Sequence, residues 1–344
     1  MAVAKTRDVE TLTRGLQGWF AARHPQWSDV TLELTRPQPG MSSETLFVEV
    51  RHDGTAQSYV VRLPPLSAGL FPDYDLGVQA RVQAAVRGAG IAVPTTIYES
   101  SSQALGCPFV VMPKVDGRTL STQPHYIARS WLREQSSPEQ QQTLLRSLLQ
   151  TMALVHRLPW QELDLGPLSG GGPGLVDSIA WWESYVDWAT PRQEWAAPYV
   201  RALAWCRAHV PTAVPDTSLL WGDPQLVNLV IAEDHTPAAV LDWEMAGLGP
   251  AEVDLAWFLT LHELSAERLG GDLPGFGDRQ WMIDTYAEAL GRDVADLHFY
   301  EVFAHVRSGA IVLRAGQLMA EAGLDPRWMI NAPQLAHLER LTRD

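Results

Sequence analysis

The chain has little cysteine: Cys107 and Cys206 are its only two, far apart and in unrelated local contexts. This excludes a disulfide framework and a paired-cysteine metal or redox site, and both read as buried small hydrophobes. Positive charge is also scarce, with 26 Lys and Arg against 40 Asp and Glu for a net charge of −14. Broad contact with a phosphate backbone needs clustered cations, so nucleic acid is not an expected partner. No apolar run approaches the roughly 20 residues that span a bilayer, so no membrane span is expected. Residues 1–10 carry Lys5 and Arg7 and then turn acidic without an apolar stretch, unlike a secretory signal, and a cytoplasmic protein is the expectation. No strand leads into Gly-x-Gly-x-x-Gly, which argues against a dinucleotide-binding oxidoreductase. The glycine-rich residues 169–174 follow no strand and lack a Gly-Lys-Ser/Thr ending, so they read as a connector rather than a phosphate loop. Solenoid-type repeats are missing as well.

What is present divides into two parts. At 344 residues, the chain is long enough for two modest lobes sharing a cleft. Residues 31–34, 45–50 and 58–63 alternate as three antiparallel strands, separated by turn residues at 36–43 and 52–54. Residues 75–87 read as a helix closed by Gly88 and Gly90, and residues 94–97 and 109–112 as two further strands. Beyond Gly117 helical periods dominate, so the boundary is placed near residue 115, giving lobes 1–115 and 116–344. The fold class expected is α+β, a small antiparallel sheet with one helix followed by a large, mainly helical lobe. Leu145, Leu148, Leu149, Met152 and His156 share one helical face, which makes His156 a hydrogen-bonded core histidine rather than a ligand.

The informative segment runs from 219 to 244. Apolar runs flank residues 233–237 as a hairpin, with Asp223 and Asn228 in the loop entering it and Asp242 leaving it. An antiparallel hairpin returns its ends to one place, so the three polar groups converge. Phosphoryl transfer needs such a set: a carboxylate to take the proton of the attacking hydroxyl, and hard oxygen ligands to hold magnesium against the phosphates. An Asp, an Asn five residues later and a second Asp after a hairpin is the arrangement of kinase catalytic and metal loops. Each residue alone would pass for a turn former.

These residues resemble the aminoglycoside phosphotransferase and choline kinase-like family, whose signature is His-Gly-Asp, four residues, Asn, then Asp-Trp-Glu. The resemblance covers nearly the whole chain and is nearest to the branch of phosphotransferase domains fused to acyl-CoA dehydrogenases. It implies a bilobal protein-kinase-like fold, ATP and Mg²⁺ as cofactors, Asp223 as catalytic base, Asn228 and Asp242 as metal ligands, and a small-molecule hydroxyl acceptor. One departure is Trp221, where the family has a His that supports the loop. In place of the family's strand lysine stands Arg62, which can fork two phosphate oxygens, and Gln79 matches the helix glutamate that pairs with it. The turn before the second strand implies Ser42 and Ser43 as phosphate donors. At the interlobe hinge, the resemblance assigns the adenine edge to the Pro113 carbonyl and the Val115 N–H, and proline keeps its carbonyl. Asp254 matches the family's brace of the catalytic loop, and Glu244 is a candidate outer group of the metal site.

The acceptor is less defined. Trp181, Trp182, Tyr185 and Trp188 stand where the family places acceptor-binding helices, as stacking surfaces or as aromatic core. Glu183, Asp187 and Glu263 are candidate carboxylates for a cationic acceptor. The expected acceptor is a neutral or anionic hydroxylated metabolite, with a hydroxyacyl thioester favoured. Alternatives are an aminoglycoside, as in antibiotic resistance, and, in a different class, a nucleotide-binding pseudokinase, which Arg62, Gln79 and Trp221 favour and the intact Asp223, Asn228 and Asp242 oppose.

Overall fold

The computed structural model describes residues 7–37, 43–168, 171–327 and 334–343. Asp8 accepts the Thr11 N–H at 2.8 Å and so starts α1 (Val9–Arg23), a helix not anticipated from the sequence. It lies on a five-stranded antiparallel sheet of order β1-β2-β3-β5-β4, built from β1 (Thr31–Thr35), β2 (Glu44–His52), β3 (Thr55–Leu63), β4 (Ile97–Glu99) and β5 (Phe109–Pro113). Strand alternation divides the sheet's two faces. Leu46, Val48, Val50, Val61, Leu63, Phe109 and Val111 pack on Leu12, Leu16 and Phe20 of α1. The opposite face presents Val60, Val110 and Met112 to Leu76 and Ala80 of α2 (Leu76–Gly88), and Arg62 shares that face. Asp75 caps α2 by accepting the Val78 N–H.

The strand expected at 94–97 is displaced to β4. Residues 91–96 are instead tied outward, where the Ala92 carbonyl accepts the Val240 N–H at 2.7 Å, and Pro94 has no N–H to give a ladder.

The rest is mainly helical: α3 (Trp131–Gln135), α4 (Pro138–His156), α5 (Leu175–Ala189), α6 (Gln193–Ala208), α7 (Glu252–Leu269), α8 (Arg279–Leu290), α9 (His298–Glu321) and α10 (Gln334–Leu341). Two short strand pairs interrupt the helices. β7 (Leu229–Ile231) and β8 (Pro237–Val240) form the expected hairpin. β6 (Thr217–Leu220) does not extend it: Gly222 and Pro224 turn the chain away, and β6 pairs with β9 (Gly247–Pro250). Gly249 and Pro250 close β9, and α7 begins just after it. The α+β class and the small sheet beside a helical mass are as expected. Among the described residues, no helix is long and apolar enough to cross a membrane.

Candidate active site

β6 delivers its next residues into a buried brace. Asp254, fully buried on α7, accepts the Trp221 N–H at 2.7 Å and the Gly222 N–H at 3.2 Å. His156 Nε2 lies 3.1 Å from the same carboxylate, and its Nδ1 is 2.6 Å from the Tyr286 hydroxyl. The histidine is thus held inside the core, and Asp254 fixes the backbone that precedes Asp223. Gly222 has φ +93°, and a Cβ there would lie 2.0 Å from the Met245 carbonyl oxygen, so no other residue fits this turn. Trp221, fully buried, donates its indole N–H to the Leu241 carbonyl at 2.8 Å. The tryptophan therefore fastens the loop that carries Asp223 to the residue before Asp242.

The hairpin brings together the residues expected to converge. Asp223 Oδ1 accepts hydrogen bonds from Gln225 and, at 2.7 Å, from the Trp257 indole, while Oδ2 accepts from Asn228 Nδ2 at 2.7 Å. Burial and then the neighbouring Asp242 carboxylate push the Asp223 carboxyl above its ordinary range, and the three donated bonds partly offset this. Such a shift suits a general base. Asn228 also donates to the Asp223 carbonyl at 2.9 Å, which leaves its amide oxygen as the atom available to a cation. Asp242 has φ +60°, in the left-handed region where non-glycine residues are rare and where such strain gathers at functional sites.

Across the cleft, Arg62 on β3 reaches the same point. It donates to Asp242 Oδ1 at 3.4 Å and to Ser43 Oγ at 2.9 Å, and pairs with Glu244 at 3.5 Å. Burial would weaken the guanidinium's hold on its proton, but the charges of Asp242 and Glu244 outweigh it and raise its pKa. Gln79 is buried on α2, and among the described residues no hydrogen bond joins its side chain to Arg62. The partners the arginine finds are Ser43, Asp242 and Glu244. Ser42 lies outside the described residues. At the end of β5 the Lys114 N–H is donated to the Ser58 carbonyl, so strand alternation turns the Pro113 carbonyl away from β3, and Val115 lies just beyond the strand.

A cavity of about 650 Å³ adjoins this point, with Asp73, Tyr74, Trp181, Trp182, Glu244 and Arg307 in its wall. Of the four aromatic candidates, Trp181 and Trp182 line it, Tyr185 is core and Trp188 faces solvent. The carboxylates singled out from the sequence are elsewhere: Glu183 pairs with Arg207, Glu263 with Arg279, and Asp187 is exposed. The cavity's acids are instead Asp73, Asp75 and Glu244. Sequence reasoning also missed Trp257 and Arg307. Trp257 lies three residues beyond Asp254, one helical turn along α7, and that spacing could have indicated it.

A profile of the phosphotransferase enzyme family matches residues 33–298. The chain belongs to this family. It is a small-molecule kinase in class, and its kinase-like fold recurs in solved structures. Acyl-CoA dehydrogenase family member 11 of Homo sapiens is 27% identical over 250 residues, covering 72% of this chain and 30% of that protein. The chain therefore spans less than a third of that relative's length. A candidate aminoglycoside phosphotransferase from Ralstonia eutropha superposes with a TM-score of 0.70 at 21% identity, covering 96% of this chain and 94% of that one. Choline kinase from Cryptosporidium parvum gives a TM-score of 0.59 at 12% identity, covering 90% and 88%.

Proposed function

We propose that this phosphotransferase moves the γ-phosphoryl group of ATP, with Mg²⁺, to the hydroxyl of a hydroxyacyl thioester. The observation that carries the reading is the Asp223 carboxylate, held by three donors beside Asp242 with the Arg62 guanidinium facing them. On this reading residues 1–115 hold the nucleotide and residues 116–344 supply the catalytic and acceptor groups. An Asp223 oxygen accepts the proton of the acceptor hydroxyl as the hydroxyl oxygen bonds to the γ-phosphorus and the bond from that phosphorus to ADP breaks.

The residues fit the cofactor. Asp242 and the Asn228 amide oxygen would hold magnesium, which neutralises charge on the phosphates when bound. Among the described residues no group of three or more His, Cys, Asp or Glu could form a cage for a metal ion. Magnesium needs none, because it keeps water and phosphate oxygens in its shell. Arg62 and Ser43 would face the phosphates, and Pro113 and Val115 would read the adenine edge.

The thioester rests on similarity to a relative named for acyl-CoA dehydrogenation and on the aromatic cavity wall. An acceptor screen tests it, reading ADP release with hydroxyacyl-CoA compounds, kanamycin-type amines and choline. Turnover of hydroxyacyl-CoA is expected, lost with Asp242→Ala together with the magnesium dependence of nucleotide binding. Saturable turnover of the amines alone would overturn the choice and favour antibiotic inactivation, which the cavity's acids would serve.

A further inference from the structure

Arg307 on α9 is 5% exposed and lies beside the catalytic loop, 85 residues away in sequence. Its Nη2 donates to the Gly222 carbonyl at 3.3 Å, while Nε and Nη1 are buried with no hydrogen-bond partner. The faces of Trp257, Trp182 and Phe303 surround the guanidinium at 4.7, 5.6 and 5.9 Å. Aromatic faces stabilise a cation without taking its N–H groups. Among the described residues no carboxylate forms an ion pair with it, although Asp223 and Asp254 are near enough to favour its charged form. Burial lowers its pKa to about 10, so it remains a cation at neutral pH.

A buried cation with unused donors is costly, and its retention calls for a ligand that completes it. The placement indicates which part of a ligand that is. Trp257 connects the two groups, lying against Arg307 and donating to Asp223, and Arg307 itself reaches the residue preceding Asp223. Arg307 also forms part of the wall of the 650 Å³ cavity. The acids of that wall are partly engaged already: Glu244 with Arg62, and Asp75 with the α2 N-terminus. We propose that Arg307 binds the acyl carbonyl oxygen of the acceptor, orienting a hydroxyacyl compound so that its hydroxyl meets Asp223. This rests on the phosphotransferase reading above and sharpens its acceptor.

The test compares wild type, Arg307→Gln and Arg307→Lys on three acceptors of similar length: a hydroxyacyl-CoA, the free hydroxy acid and a diol without a carbonyl. Unfolding midpoint and the KM for ATP verify that each variant is folded. Arg307→Gln is expected to raise KM for the carbonyl-bearing acceptors about 10- to 100-fold, the loss of one hydrogen bond from a charged donor, and to leave the diol and ATP unchanged. Arg307→Lys should recover part of this. Preference of the wild type for the thioester over the free acid would identify the thioester as the source of the carbonyl, and the reverse preference the carboxylate. If the wild type phosphorylates hydroxyacyl compounds and Arg307→Gln lowers kcat equally for all acceptors with KM unchanged, Arg307 only props the loop and the assignment fails alone. A higher KM for ATP in a folded Arg307→Gln would reassign the residue to the nucleotide. Should Arg307→Gln unfold, Arg307→Lys decides by the same comparison. Wild-type turnover of the diol alone, or of none of the three, would overturn this inference and the hydroxyacyl reading together.

Discussion

On the α7 side of the cleft, Asp254 is shared by two backbone N–H groups and His156, and Asp223 accepts from Gln225, Trp257 and Asn228. On the β3 side, Arg62 hydrogen-bonds Ser43 and makes long contacts with Asp242 and Glu244, the groups that on the proposed reading a metal-bound nucleotide would approach. The carboxylates of the first side are satisfied within the protein, so their hydrogen bonds are set before any ligand arrives, as catalysis by preorganised electrostatics requires. The second holds a charge balance that a ligand would rearrange. Substitutions should separate accordingly: loss of rate or of stability on the first side, loss of ligand affinity on the second.

The largest effect is expected from Asp223→Asn. Losing a general base lowers kcat by about 10² to 10⁴-fold, and nucleotide affinity should stay near wild type because on the proposed reading the carboxylate acts on the acceptor. Initial rates at saturating substrate, with calorimetry of ATP binding, measure both. Wild-type turnover would remove Asp223 from the chemistry.

Next comes Asp254→Asn, which strips a buried carboxylate from His156 and from the two N–H groups that aim the loop. A broken buried network costs about 3 kcal/mol, so the unfolding midpoint should fall with or without nucleotide. An equal fall in stability with full kcat would show that the brace holds the fold but does not aim Asp223.

The β3 side is probed by a double-mutant cycle of Arg62→Lys with Glu244→Gln, read as ATP affinity. Groups in contact couple, here by about 1.5 kcal/mol, whereas Arg62→Lys with Gln79→Glu should be additive to within about 0.5 kcal/mol. Coupling to Gln79 instead of Glu244 would restore the helix partner that family resemblance implied.

The difference between the two sides also explains what could be read in the sequence. Asp223, Asn228 and Asp242 were legible because a short hairpin joins them, and local spacing suffices to bring its ends together. Strands β2 and β3 were legible from their period of two, against one buried face. The helix α1 left a signal that went unused, Asp8 followed by Leu12, Leu16 and Phe20 at four-residue spacing. The partners of Arg62 were not legible: the family resemblance implied Gln79, but the arginine's length carries it across the cleft to a segment 180 residues away. Arg307 was illegible for the same reason, since an arginine on a largely apolar helix carries no local mark of what it meets. The cavity's acids were misplaced because Glu183 and Glu263 find arginine partners on the outer surface, which no local pattern announces.

The smallest expected effect tests how the satisfied side is anchored. Glu252 begins α7 two residues before Asp254, its side chain buried, and accepts from Arg292 at 2.6 and 3.1 Å and from the Ala295 N–H at 3.2 Å. Burial alone would raise its pKa, yet the hydrogen bonds and charge of Arg292 with the Ala295 N–H prevail and hold the carboxyl below its ordinary value. The folded protein thus releases this proton more readily than the unfolded chain does. The stability it contributes is complete above pH 4.5 and is lost as pH falls through the lower folded value. Glu252→Gln lacks that contribution at every pH. Arg292 is 38% exposed, so water screens the pair and the deficit at neutral pH should be only about 1 kcal/mol. Unfolding midpoints of the two proteins, measured from pH 7 into the acid range, should differ most at neutral pH and converge in acid. A gap that stays constant as the pH falls would mean that Glu252 anchors α7 by its shape and hydrogen bonds, not by its charge.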